Sequence, residues 1–283
     1  MISTQLTFGK YKIFGLRDGF FYLDGGAMFG VVPKTLWEKK CPADSENRIK
    51  MGLNSLLVQT PEAKILIETG AGGYLKKQFY HYYSIERDPG LVVSLNELDY
   101  AVEDIDFVIN THLHFDHCGG NITKNEKGEY IPAFPKAKYI IQKGEWQVAQ
   151  KPGFRDGASY LPHLFVPLET SGQLFLVNGA AEVCPGVKVI PAPGHTRYHQ
   201  CVLIQTDEGC VFFLGDMVPT SAHVGLSYVM SYDLYPVETM ENKKRYLDRG
   251  IKEDWIFAFN HDPVYFFGKA IKEKSKYRFK PLS

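Results

Sequence analysis

The 283-residue chain carries little that would tie it to a charged polymer or a bilayer. Its 32 basic residues are balanced by 32 acidic ones, so no net charge draws it to a nucleic-acid backbone. No apolar run approaches the ~20 residues of a membrane span. No basic region followed by an apolar core opens the chain between Met1 and Gly15, so a secretory leader is not expected. Cysteine is sparse. Cys41, Cys118, Cys184, Cys201 and Cys210 are odd in number and include no CxxC pair, which reads as reduced thiols in a cytoplasmic protein. A Ser/Gly/Pro-rich linker and a fixed-period repeat are also missing, so one domain over residues 1–283 is expected. What is present is ordinary core material: 45% of residues are hydrophobic, which excludes disorder as the main state.

The punctuation predicts alternating strands and helices. Leu53–Gln59 and Lys64–Thr69 flank Thr60-Pro61-Glu62-Ala63 and read as a hairpin. Ser94-Leu95-Asn96-Glu97 has the form of a capping box that opens a short helix. Lys138–Gln142 reads as a strand followed by a helix over Gly144–Gln150. Pro236 begins a helix running to Arg249, with Val237, Met240 and Leu247 on one side and Gly250 closing it. Four apolar runs share a design: Phe107–Asn110, Val187–Pro191, Val211–Leu214 and Trp255–Phe259. Each reads as a buried strand and delivers a metal-binding residue type at or soon after its end.

The sharpest signal is His112-Leu113-His114-Phe115-Asp116-His117. In an extended segment, residues two apart project to one side, so His112 and His114 are placed to grip one cation. After a turn, Asp116 and His117 address a second. Neutral imidazole and carboxylate suit zinc and similar borderline metals. Further donors wait in Gly194-His195-Thr196, Gly215-Asp216 and Asn260-His261.

In this order the segments resemble the metallo-β-lactamase fold superfamily, from the hairpin before Gly70 to His261. The resemblance implies an α/β fold, a four-layer αβ/βα sandwich with a dinuclear metal site in a cleft at the sheet edge. By position, His112, His114 and His195 would hold one metal, Asp116, His117 and His261 the other, and Asp216 would bridge them. Zinc is the first expectation, with iron, manganese or cobalt as alternatives. Zinc β-lactamases of this fold commonly have Cys where this chain has Asp216, which argues against antibiotic hydrolysis. Two divalent ions, two carboxylates and a bridging hydroxide leave about one net positive charge, which favours a developing oxyanion. The resulting expectation is a dinuclear hydrolase in which the hydroxide attacks a lactone or ester carbonyl of a small-molecule substrate, with no nucleic-acid or membrane partner and a homodimer left open. The close look-alikes are N-acyl homoserine lactonases and arylesterase-like enzymes. Glyoxalase-type thioesterases, phosphotriesterase-like hydrolases and a mononuclear-iron dioxygenase on the same scaffold are the alternatives.

Around this core the sequence leaves several roles open. Glu68 is read either as a carboxylate orienting a metal-bound His or as a partner of backbone donors in the Gly70–Gly73 turn. Gly25–Pro33 is read as a flap, with Met28 and Phe29 lining an apolar pocket, or as a turn followed by core; no GK[ST] follows it. Together with Asp116, His223 is the catalytic candidate, as a proton shuttle. His199 reads as a supporting or core His and Cys118 as a small buried filler. His81 belongs to an aromatic cluster. Lys243-Lys244-Arg245 and the tail Lys269–Lys280 read as solvated faces. Lactonases of this resemblance place a Tyr three residues after the bridging Asp, where this chain has Pro219; Tyr228, Tyr232 or His223 stand as substitutes.

Overall fold

The computed structural model describes residues 4–282. Two seven-stranded sheets dominate it. In the first, Gln5–Phe8, Tyr11–Asp24, Arg48–Gln59 and Lys64–Ile67 run antiparallel. Phe107–Ile109, Lys138–Gln142 and Leu174–Val177 then add in parallel. The second sheet runs from Ala181–Cys184 to Lys276–Pro281, with one parallel pairing, between Cys210–Phe213 and Ile256–Ala258.

Side-chain alternation explains why the central strands are apolar throughout. Ile65, Ile67, Ile109 and Ile140 point to one face of the first sheet, where they meet Val202, Ile204, Val211 and Phe213 of the second. Their neighbours Leu66, Val108, Tyr139 and Ile141 point the other way, onto a core built with Leu91, Leu95, Trp146 and Leu168. Leu203 and Phe212 turn outward in the second sheet, beneath Tyr246 and Leu247 of the helix Pro236–Lys252. A strand covered on both faces has no solvent side to mark with polar residues. The result is the αβ/βα layering expected from the resemblance.

Several local expectations need correction. The predicted hairpin is present, but its first strand begins at Arg48. Ser94 does not cap a helix. It lies within Leu91–Asn96, and its hydroxyl donates to the Arg17 carbonyl at 2.9 Å. That helix is capped from a distance: Asp18 Oδ1 accepts the Leu91 N–H at 3.0 Å. The long helix continues to Lys252, so Gly250 lies inside it, where a side chain would strike Phe257. Val237 is exposed, and the buried face is carried by Thr239, Lys243, Tyr246 and Leu247. Trp255 and Phe259 fall outside their strand, which spans Ile256–Ala258. Within Gly25–Pro33, Gly25–Phe29 is a helical turn capped by Asp24, with Phe29 stacked between Trp37 and His223. The tail is a hairpin with three of its six cations in ion pairs: Lys269 with Asp254, Lys272 with Asp248, Arg278 with Glu273.

Candidate metal centre

Four strand ends converge on one point. The loop after Phe107–Ile109 carries His112, His114, Asp116 and His117. Those after Val187–Pro191, Cys210–Phe213 and Ile256–Ala258 carry His195, Asp216 and His261. Three groups have ligand atoms all within 4.8 Å of one another: His112 with His114 and His195; His112 with His117 and Asp216; Asp116 with His117 and His261. All seven sequence-predicted ligands are therefore brought together.

Asp216 lies between the two ends of this cluster. Its Oδ2 is 3.2 Å from His195 Nε2. Its Oδ1 is 3.4 Å from His117 Nε2 and 3.2 Å from His261 Nε2. Asp116 Oδ2 lies 3.5 Å from His261 and 3.7 Å from His117. Nitrogens face nitrogens as well: His261 Nε2 is 3.2 Å from His117 Nε2, and His195 Nε2 is 3.2 Å from His114 Nδ1. Such contacts are poor hydrogen bonds between neutral rings. They match the ligand–ligand edge of roughly 3.3 Å that a tetrahedron with metal–nitrogen bonds of about 2.05 Å requires. His112 Nε2 and His114 Nε2 are buried without any hydrogen-bond partner. Buried polar atoms are normally satisfied, so the His112 Nε2 lone pair fits a metal ligand, while His114 faces the cluster through Nδ1 and its Nε2 points away from it. Burial and the neighbouring imidazoles hold both rings well below the usual histidine pKa, the neutral state a metal ligand needs.

Three of the rings are oriented from behind. His261 Nδ1 donates to the Gly52 carbonyl at 2.8 Å. Asp233 Oδ1 holds His195 Nδ1 at 3.0 Å, while its Oδ2 accepts the Met230 N–H. Glu68 Oε1 accepts the Thr111 N–H at 2.9 Å and lies 3.5 Å from His117 Nδ1. The Gly70–Gly73 turn is served instead by Asp18, whose Oδ2 accepts the N–H groups of Ala71 and Gly72. Glu145 is shared by two ligand loops: it accepts the Leu113 N–H, the Tyr160 hydroxyl and the Thr196 hydroxyl. His199 Nδ1 donates to the Ala192 carbonyl and its Nε2 accepts the Asp216 N–H at 3.1 Å. Gly215 has φ +52, and any Cβ there would collide with that ring, so glycine is required.

The metallo-beta-lactamase superfamily model matches residues 51–261, the span that contains this whole centre. The chain belongs to that superfamily.

An N-acyl homoserine lactonase of Bacillus cereus is 29% identical over 180 residues, 59% of this chain and 64% of the relative, so the chain spans less than two thirds of that relative's length. One from Bacillus thuringiensis is 27% identical over 219 residues, 73% of this chain and 79% of its own. The crystal structure of a probable metal-dependent hydrolase from Staphylococcus aureus is 29% identical, covers 98% of this chain and 100% of its own, and superposes with a TM-score of 0.88.

A cleft opens onto the metallo-beta-lactamase centre at His114, Asp116, His195, Asp216 and His261. Phe21, Leu23, Met28, Phe115 and Leu234 make much of its wall apolar, and Tyr83, Arg155, Asp156 and Tyr232 add polar groups. Of the three substitutes for a Tyr at position 219, only Tyr232 lines the cleft. Burial pushes its phenol up to about 12, so it keeps its proton at neutral pH. Tyr228 packs edge-on to Phe29.

His223 does not reach the cleft. It is 0% exposed, its Nε2 donates to the Met28 carbonyl at 2.9 Å, and its Nδ1 accepts from Thr220 at 2.7 Å. Burial lowers its pKa to about 3. A ring with both nitrogens engaged and no solvent contact does not suit a proton shuttle, which corrects the expectation for this residue. Lys243 also departs from its expected solvated face: it is fully buried, donating to the carbonyls of His223, Gly225 and Tyr228 at 2.7–2.8 Å. His81 is exposed, and Cys118 is a buried filler whose thiol donates to the Leu113 carbonyl.

Sequence reasoning passed over Asp18, Glu145 and Asp233. Each is one acidic residue among 32 and reaches at least one partner 38 to 73 residues away, and local spacing carries no signal for such pairs.

Proposed function

We propose that this chain is a metal-dependent hydrolase of lactone or ester bonds in small molecules, using two divalent ions, zinc before iron, manganese or cobalt. The observation that carries the reading is Asp216, whose two carboxylate oxygens face His195 on one side and His117 and His261 on the other. The lactonase relatives support the substrate class. When bound, the ions supply Lewis acidity and a water of lowered pKa for attack on an acyl carbonyl.

The protein's own groups supply the rest. The imidazoles of His112, His114 and His195, with those of His117 and His261 and the Asp116 carboxylate, would hold the ions, with Asp216 between the two positions. Asp116 presents Oδ2 beside the cleft, where it accepts the proton released by the attacking water and returns it to the leaving oxygen. The Tyr232 hydroxyl, also on the cleft wall, donates to a substrate oxygen. Phe21, Leu23 and Met28 shed water from the acyl part of the substrate.

The test combines metal analysis with a substrate panel. Two ions per chain and turnover of γ-lactones or aryl esters support the reading. One iron per chain with O₂ uptake overturns it in favour of the dioxygenase, and turnover confined to thioesters or phosphotriesters moves it to those hydrolases.

A further inference from the structure

Asp156 lines the cleft wall, and none of the described residues neutralises its carboxylate. It is 9% exposed and lies in the turn closed by Gly157 N–H to Gly153 carbonyl and Ser159 N–H to Asp156 carbonyl bonds. That turn folds tightly over the side chain: a Cβ on Gly153 would come to 3.2 Å from Asp156 Oδ1. Its carboxylate makes no hydrogen bond or ion pair among the described residues. The adjacent cation, Arg155, donates instead to the Ser231 carbonyl. Asp156 belongs to none of the three groups that would hold a metal.

The Asp156 oxygens are without a protein partner among the described residues and stay open to the cleft rather than sealed in the core. The open side of Asp156 is the cleft, so its partner arrives there. An acceptor-only group at that place favours a ligand bearing N–H donors and repels one bearing a carboxylate. We infer that Asp156 is a specificity-determining residue, which selects acyl groups carrying an ammonium or amide N–H and rejects anionic ones. The inference rests on the hydrolase reading for its substrate and on Asp156 alone for its ligand chemistry.

Four phenyl esters of equal chain length test it on the metal-loaded full chain: hexanoate, 6-aminohexanoate, 6-acetamidohexanoate and the monoester of adipate. The wild-type protein should favour the amino ester over hexanoate in kcat/KM by about tenfold, the scale of one charge-assisted hydrogen bond. The acetamido ester should be favoured more weakly and the adipate ester disfavoured. In Asp156→Asn the amino-to-hexanoate and hexanoate-to-adipate ratios should both fall towards one. Ratios unchanged in the variant overturn the inference. Binding of hexylamine against hexanol, followed by NMR, separates the two claims. If no ester is hydrolysed but hexylamine binds and binding is lost in Asp156→Asn, the hydrolase reading fails and the subsite stands. If hexylamine binds no better than hexanol, the subsite fails whatever the enzyme does. Should Asp156→Asn fold poorly, Asp156→Ser carries the same comparison.

Discussion

His199 and Asp216 are joined through the backbone: the ring Nε2 of His199 accepts the amide N–H of Asp216 at 3.1 Å. The ring is held in that tautomer by Nδ1, which donates to the Ala192 carbonyl. Burial lowers its pKa to about 3, so the acceptor persists through the whole physiological range. Replacing His199 by Leu leaves a buried N–H unpaired at a cost of about 1–3 kcal/mol. A lower melting temperature and a looser hold on one metal are expected, read by calorimetry and metal titration. Wild-type values in both would show that the bond does not position Asp216.

Asp216 itself should control stoichiometry. Its two oxygens serve opposite ends of the cluster, so Asp216→Ala should drop the metal content from two per chain to one or fewer. Elemental analysis after gel filtration checks this. Two ions retained in the variant would contradict a bridging position.

Metal uptake should depend on pH with a defined sign. Burial depresses the His117 pKa, but Asp216, Asp116 and Glu68 outweigh it and raise that ring well above its usual value. A proton must leave before His117 can donate its lone pair to a cation. Affinity should therefore weaken as pH falls through neutrality and strengthen above it, with proton release on binding measurable in weakly buffered calorimetry. Affinity independent of pH between 5.5 and 8 would refute this.

His223→Ala tests the corrected role of that ring. The variant loses bonds to Met28 and Thr220 and a ring stacked on Phe29 at 4.3 Å. A stability loss of about 2–4 kcal/mol is expected with the metal content unchanged. A hundredfold fall in kcat at full metal content and wild-type stability would restore the proton shuttle.

Lys243 is the buried cation of the long helix. Burial lowers its pKa to about 7, below the ~10.4 of an unfolded chain. The unfolded state therefore binds more protons between those values, and stability should rise with pH across that window. Lys243→Met should remove this rise. It should also cost about 2–4 kcal/mol at pH 7, since three carbonyls lose their donor. Chemical denaturation at pH 7 and pH 9 compares the two slopes.

Much of the centre was legible because its ligands sit where buried strands stop. Phe107–Ile109 and Cys210–Phe213 show as apolar runs, and polar metal-binding residues directly after them stand out. The capping box at Ser94 misled for the opposite reason. A local pattern was outweighed by Asp18, which reaches Leu91 across 73 residues and leaves Ser94 inside the helix. His223 misled because a histidine seven residues beyond Asp216 looks the same in sequence whether it faces a cleft or Phe29.

The order of chemical types along this chain was enough to determine a layered α/β fold and to bring seven metal-binding side chains into one centre. Local rules gave the buried strands and the donor residues at their ends, and the layered fold and the gathering of the seven into one centre came from the resemblance to the metallo-β-lactamase superfamily. Only the tertiary structure decided which carboxylates stand behind the rings, that Lys243 is buried, that His223 faces away from the cleft and that Tyr232 and Asp156 face into it. Those facts rest on contacts between segments tens of residues apart, and a contact of that range leaves no periodicity in the sequence.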